Sequence, residues 1–182
     1  LVHLLDIWHY NMGFHRGPKI VTDGLVLALD AASPRSYPGT GTTWSDLSGN
    51  NNHGTLTNGP SYSSDNSGVI TFDGTNDYTT IAGPNNDHAW THNSSVGSSI
   101  LCYEIWINTT DGGGRLISKP WNGGGQYNIS VYPNTFTLQV GSSASITLPT
   151  FNDGKWHQLI VWANSTTMGY YFDGASSQNS TA

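Results

Sequence analysis

Short runs of alternating apolar and polar residues recur along the chain, and turn formers such as Gly, Asn, Asp, Ser and Pro separate them. The i, i+3, i+4, i+7 spacing of an amphipathic helix is not sustained over about ten residues anywhere in the sequence. The runs therefore predict about eleven β-strands at roughly ten-residue spacing, which is typical of an all-β sandwich. The predicted strands are Leu25–Ala31, Gly54–Asn58, Gly68–Phe72, Tyr78–Ala82, Ile100–Asn108, Arg115–Lys119, Tyr127–Tyr132, Thr135–Val140, Ser145–Leu148, Trp156–Ala163 and Gly169–Phe172.

Two of the predicted strands carry large apolar residues on both alternating faces. They read ILCYEIWI and WHQLIVWA. Strands of this kind usually lie centrally in a domain, with protein against each face. We therefore expect Trp44, Trp106 and Trp156 to be core residues, and we expect Cys102 to be a small buried hydrophobe.

Composition excludes several classes of function. The chain has 182 residues, enough for one domain, and only 10% of them are charged, against a usual share of about 25%. Seven Trp, nine Tyr and five Phe argue against disorder. A net charge of −6 without a basic stripe argues against nucleic-acid binding. A single cysteine excludes an internal disulfide, and we expect no membrane span because no apolar run reaches about 18 residues.

The chain divides into a short N-terminal part and one larger domain. Residues 1–21 are expected to form an extension or arm, and residues 22–182 the β domain. Residues 83–98 form the longest irregular stretch, and loops of that length are usually functional or disordered. Two Gly-rich loops lie at 111–115 and 122–126. Neither enters a helix, so neither is expected to cradle a phosphate.

Four segments carry a resemblance to a known family. They read FDGTNDYTTI, YEIWINTTDGGGRLISK, FNDGKWHQLIVWAN and YYFDG, in that order. Together they resemble the concanavalin A-like lectin/glucanase superfamily in its laminin G-like branch. Their sequences are most similar to laminin G-like domains in structural proteins of tailed bacteriophages. The resemblance implies an antiparallel two-sheet jelly-roll sandwich. The family's closing motifs do not follow YYFDG, so we expect the domain to lack its last C-terminal strands.

The sequence argues against catalysis, although the superfamily includes glucanases. Retaining glycosidases need two carboxyl groups about 5–5.5 Å apart, and in this superfamily they follow an E-x-D-x-x-E pattern. Glu104 is the only glutamate of the chain, and no second acid stands near it. The chain has no G-x-S-x-G motif. His88 and His92 flank an irregular segment rather than a helix, which is a weak zinc signal. We therefore expect no enzymatic activity and no catalytic residues.

Calcium is the one cofactor that the resemblance suggests. Many domains of this branch hold one Ca²⁺ at a loop rim, and Ca²⁺ takes six to eight oxygen ligands. An alternative interpretation of the same residues stays open, since Asp and Asn side chains commonly cap turns by binding nearby backbone amides. The candidate ligands are Asp30, Asp46, Asn50, Asp73 and Asp77.

Carbohydrate binding is the other activity that the resemblance implies. Sugars stack their apolar faces on aromatic rings, while loop amides and acids bind the hydroxyls. The aromatic candidates are Trp90, Trp121 and Tyr62, and Asn122 and Asp111 are candidates for the polar contacts. For Trp90 and Trp121, packing beneath their own loops is the alternative.

Two functions follow as expectations. The first is a non-catalytic virion structural protein of a tailed phage, as a capsid decoration, tail or fibre component. It would act by binding, either to other virion subunits or to host-surface glycans, and it would form a homo-oligomer. The second is a secreted or surface-bound bacterial carbohydrate-binding module, which the same residues would serve.

Overall fold

The protein is described here by a computed structural model, which covers residues 23–81, 101–119, 128–133, 135–140, 142–164 and 167–181. These residues form strands and one short 3₁₀ turn at Asp65–Ser67. The all-β class expected from the sequence is therefore confirmed. The strands are β1 (Thr43–Trp44), β2 (Gly54–Thr57), β3 (Ser61–Ser63), β4 (Val69–Thr71), β5 (Tyr78–Ile81), β6 (Leu101–Asn108), β7 (Ile117–Lys119), β8 (Asn128–Tyr132), β9 (Thr135–Val140), β10 (Ser142–Thr147), β11 (Trp156–Ala163), β12 (Thr167–Phe172) and β13 (Ala175–Thr181).

The described strands pair in four antiparallel sheets. Two of the sheets have four strands, in the orders β10-β9-β8-β7 and β13-β12-β11-β6. The N-terminal part contributes the sheet β1-β2-β5 and the hairpin β3-β4. In the second four-stranded sheet, β11 pairs with β6 over its whole length, from Trp156 opposite Asn108 to Ala163 opposite Leu101. β11 is an inner strand of this sheet, flanked by β6 and β12.

One hydrophobic core lies on the inner side of β11 and β12. Leu159, Val161 and Met168 are almost completely buried there. They pack with Phe151 from the loop before β11 and with Ile146 from β10, so both four-stranded sheets contribute to the same core. Because side chains alternate between the two faces of a strand, the remaining residues of β11 point to the opposite face of the sheet.

The predicted strand Leu25–Ala31 is not observed as a strand. Its backbone groups bind side chains of the segment 36–52 instead of a neighbouring strand. Hydrogen bonds from polar side chains thus replace the strand-to-strand backbone bonds of a sheet, because they can satisfy backbone donors and acceptors equally well. The bonds join Asn50 Nδ2 to the Leu25 carbonyl, Asn52 Nδ2 to the Val26 carbonyl, Asp46 Oδ1 to the Ala28 N–H, and Ser36 Oγ to the Asp30 N–H.

Three observed strands are absent from the sequence-based set: β1, β3 and β13. The last of these follows the YYFDG turn and pairs with β12 from Phe172 opposite Ala175 onward. Its sequence, ASSQNST, has no apolar alternation that could have signalled a strand. Among the described residues, no helix is long and apolar enough to cross a membrane.

Candidate functional site

The outer face of the β13-β12-β11-β6 sheet, the one turned away from the core, is the candidate functional site. Register defines its members, because residues directly opposite each other on paired strands share a face. Gln158 lies opposite Trp106, and Trp162 lies opposite Cys102. Ile160 lies opposite both Glu104 and Tyr171. The outer face therefore consists of Cys102, Glu104, Trp106, Asn108, Trp156, Gln158, Ile160, Trp162, Gly169 and Tyr171, together with outward positions of β13.

Large aromatic side chains are exposed on this face. Trp106 is 61% exposed, Tyr171 is 42% exposed and Trp156 is 40% exposed. The expectation that Trp106 and Trp156 are core residues is therefore wrong. Side chains alternate between the two faces of a strand, and both residues stand at positions that point away from the core. The residues next to them along each strand point into the core instead. Trp44, in contrast, is half-buried.

A hydrogen-bonded polar pair lies among the aromatic residues. The Gln158 amide Nε2 donates to Glu104 Oε1 at 2.7 Å, across the β6–β11 pairing. Both groups are held on a rigid sheet rather than on a loop, and each restricts the rotamers of the other. The face therefore presents an amide and a carboxylate in fixed positions beside the ring of Trp106.

Trp162 lies down across the sheet instead of standing out from it. A Cβ built on Gly169 would lie 2.6–2.9 Å from the indole atoms Cζ2, Cε2 and Nε1. The indole therefore occupies space that only a glycine on the neighbouring strand leaves open. This arrangement places the Trp162 indole flat over Gly169 of β12, while Trp106 on β6, Trp156 on β11 and Tyr171 on β12 are exposed.

Cys102 belongs to this face and is exposed, so the expectation that it is a buried hydrophobe is wrong. The same alternation that exposes Trp106 explains the error. Partial desolvation of the thiol, together with the nearby Glu104 carboxylate, raises its pKa. The thiol is thus held in its neutral form at physiological pH, which makes it a poor nucleophile.

The structure separates the predicted sugar-binding residues. Trp90, Trp121 and Asn122 lie outside the described residues. Tyr62 is half-buried on β3, where its ring packs against Tyr37 with centroids 5.4 Å apart. Asp111 is exposed in the loop after β6, and its Oδ1 accepts a hydrogen bond from the Gly113 N–H at 2.9 Å.

Among the predicted calcium ligands, the Asp46 side chain accepts the most hydrogen bonds. It is buried, and its two carboxylate oxygens accept four hydrogen bonds. Burial alone would raise its pKa, but the hydrogen bonds from Ser48, Ala28 and Asn52 hold that pKa below its ordinary value. The donors are the N–H groups of Ala28, Ser48 and Asn52 and the Ser48 hydroxyl, at 2.7–3.0 Å.

The other candidate ligands also bind nearby backbone groups. Asn50 donates through its amide to Leu25, and Asp30 Oδ1 accepts from the Ala32 N–H. Asp73 Oδ1 accepts from three amides of its own turn, the shortest bond coming from Thr75 at 2.8 Å, and these bonds lower the Asp73 pKa. Asp77 lies in the same turn, where its Oδ2 accepts from the Asp73 N–H. The turn-capping interpretation thus has direct support, whereas bound Ca²⁺ stays a prediction.

In the described part of the chain, no group of three or more His, Cys, Asp or Glu side chains is arranged to hold a metal ion.

A charged cluster joins the two turns at the Trp156 end of the sheet. His157 Nδ1 lies 2.7 Å from Asp173 Oδ2, and His157 Nε2 lies 3.0 Å from Asp153 Oδ1. Lys155 Nζ lies 3.0 Å from Asp153 Oδ2, and the His157 ring stacks on Phe172 at 4.8 Å. The hydrogen bond to Asp173 and, to a smaller extent, the hydrogen bond to Asp153 raise the pKa of His157.

This cluster predicts a pH-dependent stability. The pKa of His157 lies above its ordinary value of 6.5. The folding stability that its charged form contributes is therefore complete below pH 6.5 and is lost as pH rises through the folded-state pKa. The pKa of Asp153 and Asp173 is lowered from 3.8, so their contribution is present above pH 3.8 and is lost as pH falls through the lowered values. We expect the free energy of unfolding to be highest between these limits, measured by urea denaturation across the pH range.

The control for this prediction is His157→Gln, which removes the titrating group and keeps a polar side chain. We expect the decline in stability above neutral pH to be smaller in His157→Gln than in the parent chain. An NMR titration of the His157 ring should give a midpoint above 6.5. Parallel stability curves for the two proteins, or a midpoint below 6.5, would contradict the prediction.

Four residues of the candidate site were not among the site residues selected from the sequence: Trp106, Trp156, Gln158 and Tyr171. Period-two alternation already placed Glu104 and Trp106 on one face of their strand, and Tyr103 and Ile105 on the other face. A signal was therefore present, but nothing in the sequence showed which of the two faces meets the core.

We compared the chain with known proteins. No family model, no curated protein and no solved structure matches it.

Proposed function

We propose that this chain is a non-catalytic virion structural protein of a tailed phage, used as a capsid decoration, tail or fibre component. In this role it binds neighbouring virion subunits, assembles as a homo-oligomer and recognises glycans on the host surface. The resemblance of the FDGTNDY, DGKWH and YYFDG segments to laminin G-like copies in such proteins supports the virion setting.

The proposed architecture is the concanavalin A-like jelly-roll sandwich. Its support is the shared core, to which Ile146 of β10, Ile117 of β7 and Leu159 of β11 all contribute. Two sheets that bury residues in one core are expected to stack face to face, with their other faces toward solvent. In this arrangement the outer face is a solvent-facing surface on a rigid support.

The observation that carries the proposal is the outer face itself. Monomeric proteins seldom expose several large aromatic residues together without a binding role. Trp106, Trp156 and Tyr171 are exposed side by side with the Glu104–Gln158 pair. Aromatic rings for the apolar faces of sugars and fixed polar groups for their hydroxyls are the two parts that a glycan site requires.

The lone carboxylate of this face argues for binding rather than hydrolysis. Glycosidases need a second carboxyl group about 5–9.5 Å from the first. On the described outward positions of β6, β11 and β12, Glu104 stands without another acid.

A secreted or surface-bound bacterial carbohydrate-binding module is the second candidate. The outer face would serve it equally well, since its chemistry does not depend on a virion. The two candidates differ in where the protein resides and in what it assembles with.

Particle composition tests the proposal. Virions from a lysate of the producing strain are purified on a density gradient, and the protein is quantified in them by mass spectrometry. We expect a fixed number of copies per particle, in an integer ratio to the major capsid or tail protein. A protein that is found only as a soluble monomer would refute the virion role. Glycan binding that persists in that case would favour the bacterial module.

A further inference from the structure

We infer that the outer face binds an uncharged, extended glycan chain of equatorially linked pyranoses that lies along β11. This inference rests on the proposed glycan-binding function and names its ligand class. Its elements are the exposed rings on the three strands β6, β11 and β12, the polar pair among them, and the charge of the face.

The spacing of the aromatic residues fits an extended chain. Trp156 and Trp162 lie six positions apart on β11, which corresponds to about 20 Å at about 3.3 Å per residue. Trp106 and Tyr171 lie on the flanking strands β6 and β12, each about 4.8 Å from β11. A ligand that contacts all four residues must therefore be long, narrow and nearly flat. Equatorially linked pyranoses form such ribbons, with apolar C–H faces that stack on rings.

The polar groups lie where such a chain would present its hydroxyls. Gln158 stands between Trp156 and Trp162 on the same strand and opposite Trp106. The Glu104 carboxylate uses one oxygen to hold the Gln158 amide. An ionised carboxylate has about four lone-pair sites, so Glu104 can accept sugar hydroxyl protons in addition.

The charge of the face selects an uncharged ligand. Glu104 is the one charged residue among the described outward positions of β6, β11 and β12, and the whole chain carries a net charge of −6. A sugar carboxylate placed beside Glu104 would meet a like charge with no cation on the face to offset it. We therefore expect uronic acid chains to be rejected.

The polar pair also favours a sugar over a protein partner. A stable protein interface buries roughly 800 Å² on each partner and has an apolar centre. Burial of the Glu104–Gln158 pair beneath an apolar surface would cost its hydration without replacing it. Sugar hydroxyls keep both groups hydrogen-bonded, so the pair is compatible with a glycan.

The test compares two hexasaccharides that differ in charge but not in backbone linkage. Mannohexaose is a neutral β-1,4-linked chain, and the hexamer of β-1,4-linked mannuronic acid carries a carboxylate on each ring. Binding is measured by isothermal titration calorimetry on the full chain. We expect mannohexaose to bind at least about tenfold more tightly than the mannuronic acid hexamer.

Four variants locate the site. Trp106→Ala and Trp156→Ala each remove one stacking ring and are expected to weaken mannohexaose binding about tenfold. Trp106→Phe keeps a ring and should restore most of the affinity. Tyr78→Ala is the matched control, since Tyr78 is 50% exposed on β5, outside the outer face, and its loss should leave binding unchanged. Thermal melting confirms that each variant folds.

The outcomes separate the inference from the proposed function. Mannohexaose binding that is insensitive to both tryptophan variants would overturn the site and leave glycan recognition standing. Equal or tighter binding of the mannuronic acid hexamer would overturn the charge argument. A monomer–dimer equilibrium that Trp106→Ala abolishes, without hexasaccharide binding, would assign the face to a second copy and overturn the inference. Absence of binding to both hexamers and to a broad glycan array would remove the glycan function as well.

Discussion

Replacing Phe151 by alanine is expected to lower the free energy of unfolding by about 4 kcal/mol. Phe151 is completely buried, although it lies in the loop before β11 rather than in a strand. Its ring lies 5.7 Å from the Phe172 ring and 6.2 Å from the His157 ring. Truncation leaves a cavity that the rigid strands on either side cannot close, so both the transfer energy and the packing contacts are lost.

Urea denaturation followed by circular dichroism measures this change. Phe72→Ala is the matched control, because Phe72 is 42% exposed and its truncation removes little buried surface. We expect that control to change the free energy of unfolding by less than about 1 kcal/mol. A loss of similar size in both variants would contradict the assignment of Phe151 to the core.

The strands that the sequence predicted best are those with strong alternation of apolar and polar residues or with a high density of apolar residues. β9 and β11 were predicted with the bounds that the structure gives them, Thr135–Val140 and Trp156–Ala163. Each is bounded by turn formers, and each pairs over its full length with a neighbouring strand, β9 with β10 and β11 with β6. Local pattern and tertiary pairing agree in these strands, so the pattern was sufficient.

The N-terminal segment shows where pattern reasoning fails. Leu25–Ala31 has the apolar run of a strand, yet side chains from the following loops take most of its backbone hydrogen bonds. The opposite error occurs at β13, whose polar sequence forms a strand because β12 offers it an open edge. The first outcome depends on side chains from a later segment of the chain, and the second depends on pairing with β12 across the Asp173-Gly174 turn. The apolar pattern of the segment itself reports neither partner.

The candidate site illustrates the same limit. Alternation shows that Trp106 and Glu104 share a face, but it cannot show whether that face is covered. Large residues on both faces of β6 and β11 indicated a strand buried twice, and the structure buries one face only. Because the aromatic residues of a binding surface and those of a core have the same chemistry, exposure alone distinguishes them.

The Asp46 network joins Ala28 to the loop 46–52, and its removal is the second large effect that we expect. Asp46→Ala should lower the free energy of unfolding by about 3 kcal/mol. The N–H groups of Ala28, Ser48 and Asn52 would lose their acceptor in a site that is buried or nearly so. Their desolvation would then stand without compensation, and the contact between the segment 25–30 and the loop 46–52 would weaken.

Three comparisons distinguish this network from a bound ion. Asp46→Asn keeps one carbonyl acceptor and should lose about 1–2 kcal/mol, because an amide nitrogen cannot accept the bonds that Oδ2 receives. Asp65→Ala, at an exposed position of the 3₁₀ turn, should be nearly neutral. The Asp46→Ala loss should be equal with and without EDTA, because the acceptor role needs no metal. An EDTA-sensitive parent whose difference from Asp46→Ala vanishes under chelation would instead make Asp46 a Ca²⁺ ligand.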